Sequence, residues 1–365
     1  MTEENIIFID ENIPLLERSL SVCGKIIEFK GRELTKEELA TSKAKYLFVR
    51  STTRVNSALL SGTDVKFVGT ATSGIDHIDT EYLSANDIHF VSAPGANANS
   101  VAEYVVFSIL LYKNLTGFII PGKVLGVVGY GNVGKIVARY AKNMGFNVFI
   151  NDPPLADHDH SFPEDMIYTD LNTICRECDI ITNHVPLTRE GESRHPTFRL
   201  FDEERISDMK KQALFIHASR GWVADEEPLI KRMKEKSLVA AIDVFENEPL
   251  IDPAVAKPAI ISTPHIAGYS RDGKLKGSLM MAEEFEKFSG LEPDMTPYQQ
   301  ELASYKPLPE KDFTDNDKLF QLLKHHRKLD IDHQNFLKTL DLPESRRAEA
   351  FDRLRKEYPV RRECL

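Results

Sequence analysis

The chain has 365 residues, of which 42% are hydrophobic and 28% are charged, a composition typical of a globular protein with two or three domains. Its formal net charge of −10 argues against a general nucleic-acid binder, because such proteins carry a basic surface. No apolar run of about 18 residues predicts a membrane span, and the acidic N-terminus lacks the regions of a signal peptide. We therefore expect a cytoplasmic protein without a nucleic-acid or membrane partner.

Short apolar runs rich in β-forming residues recur along the chain, with helical patterns between them. They lie at 6–10, 46–49, 66–69, 88–91, 124–129, 147–151, 179–182, 213–217, 238–243 and 260–262. Such alternation is typical of βαβ units, and nearly continuous apolar runs suit strands that are buried on both faces. The pattern predicts an α/β fold with two doubly wound parallel-sheet, Rossmann-like domains.

Two helical patterns mark where the chain would pass between these domains. Residues 99–115 form one long apolar helix pattern, and a second helical pattern follows residue 270. We therefore expect a discontinuous first domain of residues 1–95 with 266–290, and a second domain of residues 96–265.

The character of the chain changes at about residue 291. Residues 291–310 are rich in proline and polar side chains, which favours a linker or extended arm. Beyond them the chain is charged and helical, with Asp315 and Pro343 as helix-start signals. We expect residues 291–365 to form this linker and a small C-terminal α+β accessory domain that serves assembly.

Of the four cysteines, Cys175 and Cys178 form a C-x-x-C pair. A zinc ribbon needs a second such pair, and the sequence has none, so no metal site is predicted. We interpret the two thiols as buried on one helix face, with a redox motif as the alternative.

The sequence GYGNVG, residues 129–134, fits the G-x-G-x-x-G pattern between a predicted strand and a predicted helix. Gly129 would make the tight turn, Gly131 would let the backbone approach a pyrophosphate, and Gly134 would let the helix pack against the strand. Asp152, at the end of the next strand, would bind the ribose hydroxyls and repel a 2′-phosphate, which favours NAD over NADP. The predicted cofactor-binding residues of this loop are Gly129, Gly131, Asn132, Val133 and Gly134.

Polar side chains follow three later strands, at the edge of the sheet where ligands bind. Arg220 follows residues 213–217, Asp243 and Glu248 follow the next strand, and His265 follows 260–262. A histidine can take a hydroxyl proton near neutral pH, and a glutamate can orient it. An arginine can hold a carboxylate through two donors. The set predicts hydride transfer from a 2-hydroxy acid, with Arg220, Glu248 and His265 as catalytic residues and Asp243 near the cofactor.

With these residues placed, the sequence resembles the D-isomer-specific 2-hydroxyacid dehydrogenases over residues 5–290. The resemblance rests on VRSTTRVN (49–56), GTATSGIDHID (69–79), GYGNVG with Asp152, HVPLT (184–188), ASRG (218–221), DVFENEP (243–249) and PHIAG (264–268). It implies a substrate-binding lid domain, an NAD-binding domain and catalytic roles for the Arg, Glu and His named above.

Further details are similar to one branch of that family, which acts on a phosphorylated sugar acid. They are the threonines of GTATSGIDHID, the two prolines after Asp152, Tyr269 after PHIAG, the short segment before the glycine strand and the C-terminal extension. The resemblance implies that this extension is a dimerisation domain and that the protein is a homodimer. It also implies closure of the two main domains about residues 99–115, which would expel water from the hydride path.

The resemblance also assigns binding residues. It implies substrate contacts for Ser51, Thr72 and Tyr269, and NAD contacts for Asp152, Asp243 and Gly268. Relatives often have threonine where this chain has Val185. Valine removes one side-chain hydrogen bond to the cofactor and leaves the backbone bonds.

A phosphorylated 2-hydroxy acid carries an anion at each end. Arg50 and Arg54, with the hydroxyl of Ser51, form a basic, donor-rich loop at a predicted strand end that suits the phosphate. Which of the two arginines holds it stays open, and either could be a solvated surface residue.

Two other functions remain open at this point. A dehydrogenase for a different 2-hydroxy acid, such as D-3-phosphoglycerate, would share every catalytic residue. An NAD-sensing interaction protein on the same fold is a second alternative, since such proteins also keep the Arg-Glu-His set.

Overall fold

The computed structural model describes residues 5–158, 160–304 and 313–365. The chain forms two compact units, one drawn from residues 1–97 and 270–306 and the other from residues 98–269 and 307–365. In the described residues no helix is long and apolar enough to cross a membrane.

The first unit is built on a five-stranded sheet, all of whose paired strands are parallel. Its strands are β1 (Ile6–Asp10), β2 (Lys25–Phe29), β3 (Tyr46–Val49), β4 (Phe67–Thr70) and β5 (His89–Ser92). Its helices are α1 (Leu16–Leu20), α2 (Lys36–Ser42), α3 (Ser57–Leu60), α4 (Thr80–Ala85), α12 (Arg271–Ser289) and α13 (Thr296–Leu302). The strand order is β2-β1-β3-β4-β5.

The second unit is built on a seven-stranded parallel sheet. Its strands are β6 (Val124–Val128), β7 (Asn147–Asn151), β8 (Ile167–Tyr168), β9 (Ile180–Asn183), β10 (Ala213–His217), β11 (Leu238–Ile242) and β12 (Ile261–Ser262). Its helices are α5 (Ala98–Thr116), α6 (Asn132–Met144), α7 (Pro153–Asp157), α8 (Leu171–Glu177), α9 (Glu203–Asp208), α10 (Glu226–Lys234), α11 (Pro253–Ala256), α14 (Asn316–Arg327), α15 (Leu329–Leu340) and α16 (Glu344–Lys356), with a 3₁₀ turn at Gly221–Val223.

Each sheet is buried on both faces. In β10, Leu214 and Ile216 pack into one apolar cluster and Phe215 packs into another. In β3, Phe48 packs into one apolar cluster and Leu47 packs into another on the opposite face. This arrangement explains the nearly continuous apolar runs of the sequence, because a parallel strand covered by helices has no solvent-facing side. Two doubly wound, Rossmann-like sheets are therefore confirmed.

Part of the expected linker is helical. Residues 296–302 form α13, and Tyr298 is buried with its hydroxyl 2.6 Å from the hydroxyl of Ser278. Burial of the Tyr298 ring stabilises this helix, although the surrounding residues are mostly proline and polar side chains. The later part of the predicted linker, residues 305–310, lies outside the described residues.

The C-terminal part is helical. Residues 313–365 contain α14, α15 and α16 and no strand, so the described residues of the expected α+β accessory domain are helical. Asp315 caps α14 through its carboxylate, which accepts a hydrogen bond from the backbone N–H of Lys318 at 3.0 Å. These helices belong to the second compact unit. The predicted domain boundaries and the separate assembly role stay predictions.

Candidate active site

The glycine loop lies at the point where the strand order of the seven-stranded sheet reverses. The order is β12-β11-β10-β9-β6-β7-β8, so β6 and β9 are neighbours although they are distant in sequence. The glycine loop follows β6, and residues 184–188 follow β9. In open α/β sheets, ligands bind at the carboxyl ends of the strands beside such a reversal.

Each glycine of the loop has its own steric reason. Gly129 has φ +89°, a conformation that L-residues rarely adopt, and a Cβ there would lie 2.9 Å from the carbonyl carbon of His184. A Cβ on Gly134 would lie 1.9 Å from the carbonyl oxygen of Gly129. A Cβ on Gly131 would meet nothing within 4 Å. The space at Gly131 is therefore open, as a loop that receives a pyrophosphate requires.

The remaining predicted residues of the loop surround the start of α6. Asn132 and Val133 are its first two residues, so free backbone N–H groups point out of this helix end. The side chain of Val185 would lie 3.0 Å from a Cβ on Gly129, which places Val185 beside the glycine loop. The structure thus brings these predicted cofactor residues together.

Asp152 closes the loop from β7. Its Oδ2 accepts a hydrogen bond from the backbone N–H of Tyr130 at 2.7 Å, and its Oδ1 accepts one from Leu155 at 3.0 Å. The first bond ties Asp152 to the glycine loop, and the second caps α7. The carboxylate is therefore held at the position where the sequence predicts a ribose ligand.

Glu248 and His265 form a hydrogen-bonded pair. The Nδ1 atom of His265 lies 2.7 Å from Oε2 of Glu248, and Oε1 of Glu248 accepts a bond from the N–H of Phe245 at 3.0 Å. Burial alone would raise the pKa of Glu248, but the charges of His265 and Arg355 and these hydrogen bonds hold that pKa below its usual range. Glu248 is thus ionised and fixes the orientation of the imidazole.

Asp243 holds the loop that carries His265. Its Oδ1 accepts bonds from the Thr263 hydroxyl at 2.6 Å and from the Ile266 N–H at 2.8 Å, and its Oδ2 accepts one from the Ala267 N–H at 2.8 Å. Burial raises the pKa of this carboxyl to about 6. The predicted NAD contact of Asp243 stays a prediction.

His265 itself has φ +55°, the left-handed region that non-glycine residues seldom occupy. Its backbone N–H donates to the carbonyl oxygen of Asp243 at 2.8 Å. Pro264 precedes it, and Gly268 and Tyr269 complete the loop. A strained residue held by this many bonds is typical of a functional site.

Arg220 starts a turn that abuts the Glu248 loop. A Cβ on Gly221 would lie 1.9 Å from the carbonyl oxygen of Phe245, so only glycine allows this approach. One Nη1 donor of Arg220 bonds the Ser219 carbonyl at 2.9 Å. The three predicted catalytic residues therefore lie on loops that contact one another.

A buried polar network, which no sequence motif had indicated, supports this turn. Nε2 of His217 lies 3.2 Å from the Gly221 carbonyl oxygen, and Nδ1 lies 3.1 Å from the Asn183 side-chain amide. Burial lowers the pKa of His217 to about 4, so the ring is neutral at pH 7. It therefore donates through Nε2 and accepts through Nδ1.

The predicted substrate residues of the first unit lie at the carboxyl ends of β3 and β4. Arg50 is half-buried, whereas Ser51 and Arg54 are exposed. The hydroxyl of Thr72 lies 2.8 Å from that of Thr70 and donates to the Gly74 carbonyl at 2.9 Å. These bonds fix the turn after β4.

Lys274, in the first turn of α12, is a cation that the sequence argument missed. Burial, followed by the charge of Arg50, lowers the pKa of Lys274 to about 8. The only feature of the sequence that could have indicated a role for Lys274 was its position nine residues after His265.

The C-x-x-C thiols are packed into an apolar core. Cys175 and Cys178 are both fully buried, and burial raises the pKa of Cys175 to about 12. This environment disfavours the reactive thiolate. In the described ranges, no group of three or more His, Cys, Asp or Glu could hold a metal ion.

Comparison with known proteins identifies the family. Residues 108–267 match the NAD-binding domain of the D-isomer-specific 2-hydroxyacid dehydrogenases. The chain is 38% identical to an erythronate-4-phosphate dehydrogenase of Marinobacter nauticus, with 98% of this chain and 93% of that one covered. An erythronate-4-phosphate dehydrogenase of Azotobacter vinelandii is 39% identical, with 98% and 92% covered. The chain belongs to the erythronate-4-phosphate dehydrogenase family.

A solved structure adds the cofactor. D-lactate dehydrogenase from Aquifex aeolicus, complexed with NAD and lactic acid, is 25% identical with a TM-score of 0.64. The match covers 78% of this chain and 96% of that one. NAD is thus the cofactor of this erythronate-4-phosphate dehydrogenase family member, which is an NAD-dependent oxidoreductase.

Proposed function

We propose that this protein oxidises 4-phospho-D-erythronate with NAD to 2-oxo-3-hydroxy-4-phosphobutanoate and NADH, in pyridoxal 5′-phosphate biosynthesis. The observation that carries the proposal is the hydrogen-bonded Glu248–His265 pair on loops of the NAD-binding sheet. The identity to erythronate-4-phosphate dehydrogenases over nearly the whole chain supports the choice of substrate.

His265 serves as the general base. Glu248 is ionised and accepts the Nδ1–H of the imidazole, which leaves Nε2 with its lone pair free for the substrate. Nε2 takes the proton of the C2 hydroxyl as the C2–H bond breaks, and the C–O bond becomes a carbonyl. Glu248 stabilises the imidazolium that results. NAD, when bound, accepts the two electrons and the hydrogen that leave C2.

The residues that hold NAD are those of the glycine loop and the adjacent strand ends. The N–H groups at the start of α6 bind the pyrophosphate, and Asp152 binds the ribose hydroxyls. Val185, Asp243 and Gly268 complete the set of proposed cofactor contacts. Asp243 in addition holds the His265 loop by its own bonds.

The two anionic ends of the substrate need two sets of donors. Arg220 holds the carboxylate next to the reacting carbon, where its planar fork can make two parallel bonds. Arg50 or Arg54 holds the phosphate, and the neighbouring Lys274 supports Arg50 in this role. Hydroxyl groups of Ser51, Thr72 and Tyr269 complete the substrate contacts.

The working form that we propose is a cytoplasmic homodimer, in which residues 1–95 with 266–290 form the substrate-binding domain and residues 96–265 the NAD-binding domain. Residues 291–365 would then contribute to dimerisation. All four cysteines are buried as free thiols, which suits a reducing compartment. Light scattering coupled to size-exclusion chromatography tests the dimer directly.

A substrate comparison tests the function. We would measure NADH formation at 340 nm with NAD and either 4-phospho-D-erythronate or D-3-phosphoglycerate, each also with an added 2-oxo acid that reoxidises bound NADH. Preference for the four-carbon substrate is expected. Preference for D-3-phosphoglycerate would replace the substrate and keep the site, and NADH binding without turnover of either would favour an NAD-sensing interaction protein.

A further inference from the structure

The helices after residue 313 contact the loop that carries His265. We call residues 313–365 the C-terminal segment and residues 262–269 the His265 loop. At the start of the loop, Nδ1 of His333 accepts a hydrogen bond from the Ser262 N–H at 2.9 Å. At its end, Nη2 of Arg327 donates to the carbonyl oxygen of Ala267 at 3.2 Å. The segment thus binds the loop on both sides of His265.

The anchor of this contact is a buried ion pair. Arg327 and Glu103 are both fully buried, and their side chains lie 2.5 Å apart. Glu103 also accepts a bond from the N–H of Leu365 at 2.8 Å. Removing either partner of a buried pair of this kind would leave an uncompensated charge in the protein interior, which is strongly destabilising. The C-terminal segment is therefore held firmly against α5.

Two side chains of the segment contact the ring of Tyr269. The ring of Tyr358 packs edge-on at 5.6 Å, with an interplanar angle of 84°. The guanidinium carbon of Arg355 lies 5.9 Å from the centroid of the Tyr269 ring, and Arg355 also hydrogen-bonds the Tyr269 side chain. Arg355 in this way restrains a residue proposed to contact the substrate.

Arg355 also acts on Glu248. Arg355 is half-buried, and its positive charge is one of the causes that hold the pKa of Glu248 low. Nε of Arg355 is buried and has no hydrogen-bond partner among the described residues.

We propose that Arg355 is a positioning residue of the active site, which fixes Tyr269 and holds a positive charge near the Glu248–His265 pair. The C-terminal segment is then part of the oxidation machinery, in addition to any role in assembly. This inference rests on the proposed function, in which Tyr269 contacts the substrate and His265 is the base.

Other titratable groups face this cluster and bear on its pH dependence. Besides Glu248, His265 and Arg355, they are Glu226 in α10, His217 at the end of β10, Asp243 after β11 and Tyr269 and Tyr358. Burial raises the pKa of Glu226 to about 7 and that of Asp243 to about 6, so both titrate in the working range. These groups are the same in every variant described below. A difference in pH profile between two variants therefore reports the charge that was changed.

The test compares Arg355→Met and Arg355→Lys with Arg353→Met, an exposed arginine on the same helix. We would measure kcat, the pH profile of kcat/KM for 4-phospho-D-erythronate oxidation, the NADH dissociation constant and the melting temperature. Removing a positive charge favours the protonated form of the Glu248–His265 pair. The acid limb of the profile, below which activity falls, should therefore move to higher pH.

For Arg355→Met we expect the acid limb to move up by about one pH unit and kcat to fall by about 10- to 100-fold, with NADH binding unchanged. Arg355→Lys should restore the acid limb, because it keeps the charge, and should restore kcat only in part. Arg353→Met should match the wild type. A folded Arg355→Met variant with wild-type kcat and an unmoved acid limb would overturn the proposal.

Two further outcomes are also decisive. If Arg355→Met does not fold, Arg355→Lys carries the test, and an unchanged kcat in that variant overturns the proposal. If the wild type fails to oxidise 4-phospho-D-erythronate, the proposed function is wrong. The same pH profiles, measured with the 2-hydroxy acid that the enzyme does oxidise, then decide the role of Arg355 separately.

Discussion

His265 and Glu248 are joined by a 2.7 Å contact between Nδ1 and Oε2, although 16 residues and strand β12 separate them in the chain. The contact fixes which ring nitrogen is available to the substrate, because Nδ1–H donates its hydrogen bond to the carboxylate of Glu248 and leaves Nε2 unprotonated. A base with one exposed lone pair and one committed proton is suited to removing a hydroxyl proton during alcohol oxidation.

Replacing His265 by glutamine should abolish oxidation and leave cofactor binding intact. Glutamine can still donate to Glu248 but cannot take up the substrate proton, so we expect kcat to fall by at least about 10³-fold. NADH affinity, measured by fluorescence titration, should stay within about two-fold. His325→Gln, at an exposed position of α14, is the control. Wild-type turnover by His265→Gln would exclude His265 as the base.

Asp152→Asn separates charge from helix capping. The asparagine oxygen can still cap α7 through the Leu155 N–H, so folding should be preserved. Its amide nitrogen cannot accept the hydrogen bond of the Tyr130 N–H, and this loss affects NAD and NADP alike. The loss of negative charge removes the repulsion of a 2′-phosphate, and the ratio of kcat/KM for NAD over NADP should fall by about ten-fold or more. An unchanged ratio would show that Asp152 is not the ribose ligand.

Alanine substitutions at two glycines should have different effects. Gly131→Ala meets open space, so the melting temperature should hold while NADH affinity falls by about ten-fold or more. Gly134→Ala would place a methyl group 1.9 Å from the Gly129 carbonyl oxygen, so the protein itself should be destabilised. Calorimetry and NADH titration of both variants measure the two effects. Full NADH affinity in Gly131→Ala would argue against a pyrophosphate at this loop.

Glu226 should make the wild type lose stability as pH rises. Burial, followed by the nearby Glu246 carboxylate, raises the pKa of Glu226 to about 7 in the folded state. Its contribution to stability is therefore full below the unfolded-state pKa near 4.5 and declines as pH rises through about 7. Glu226→Gln mimics the neutral acid.

The free energies of unfolding of the wild type and Glu226→Gln should thus be similar at about pH 5. At about pH 8 the free energy of unfolding of the variant should be higher by up to about 3 kcal/mol. Glu227→Gln, at the exposed neighbouring position, should show no such trend. A pH-independent difference between wild type and Glu226→Gln would contradict the raised pKa.

The phosphate contact distinguishes Arg50 from Arg54. Arg50 is half-buried and close to Lys274, whereas Arg54 is exposed. We therefore expect Arg50→Gln to raise KM for the phosphorylated substrate by about ten-fold or more, and Arg54→Gln to raise it less. The reverse order would move the phosphate to Arg54. Equal, wild-type KM values would remove both arginines from the site.

Much of the fold was predictable because parallel strands buried on both faces leave an unmistakable apolar run. All ten predicted strands are present within one residue or two of their expected limits. Two strands were missed, β2 and the two-residue β8, and both lie at sheet edges. Edge strands are less buried, so their apolar signal is weaker.

The site was predictable where local geometry dictates the residue type. Gly129 must be glycine because of its positive φ, and Gly134 because its backbone lies close to the Gly129 carbonyl oxygen. The spacing of these glycines in the sequence therefore indicates the loop. The support of the site was not predictable, because it depends on contacts between distant parts of the chain. Arg327 and Arg355 lie in a tail without a motif, and only the folded structure brings them to the His265 loop.

The measurement that tests the central claim most directly is the steady-state oxidation of 4-phospho-D-erythronate against unphosphorylated D-erythronate, with NAD and the wild-type protein at 340 nm. The account predicts that kcat/KM for the phosphorylated acid is higher by about 100-fold or more. D-erythronate lacks the phosphate, so it cannot form the charge-assisted hydrogen bonds to the arginine that holds this group. Equal values for the two acids, or turnover of neither, would contradict it.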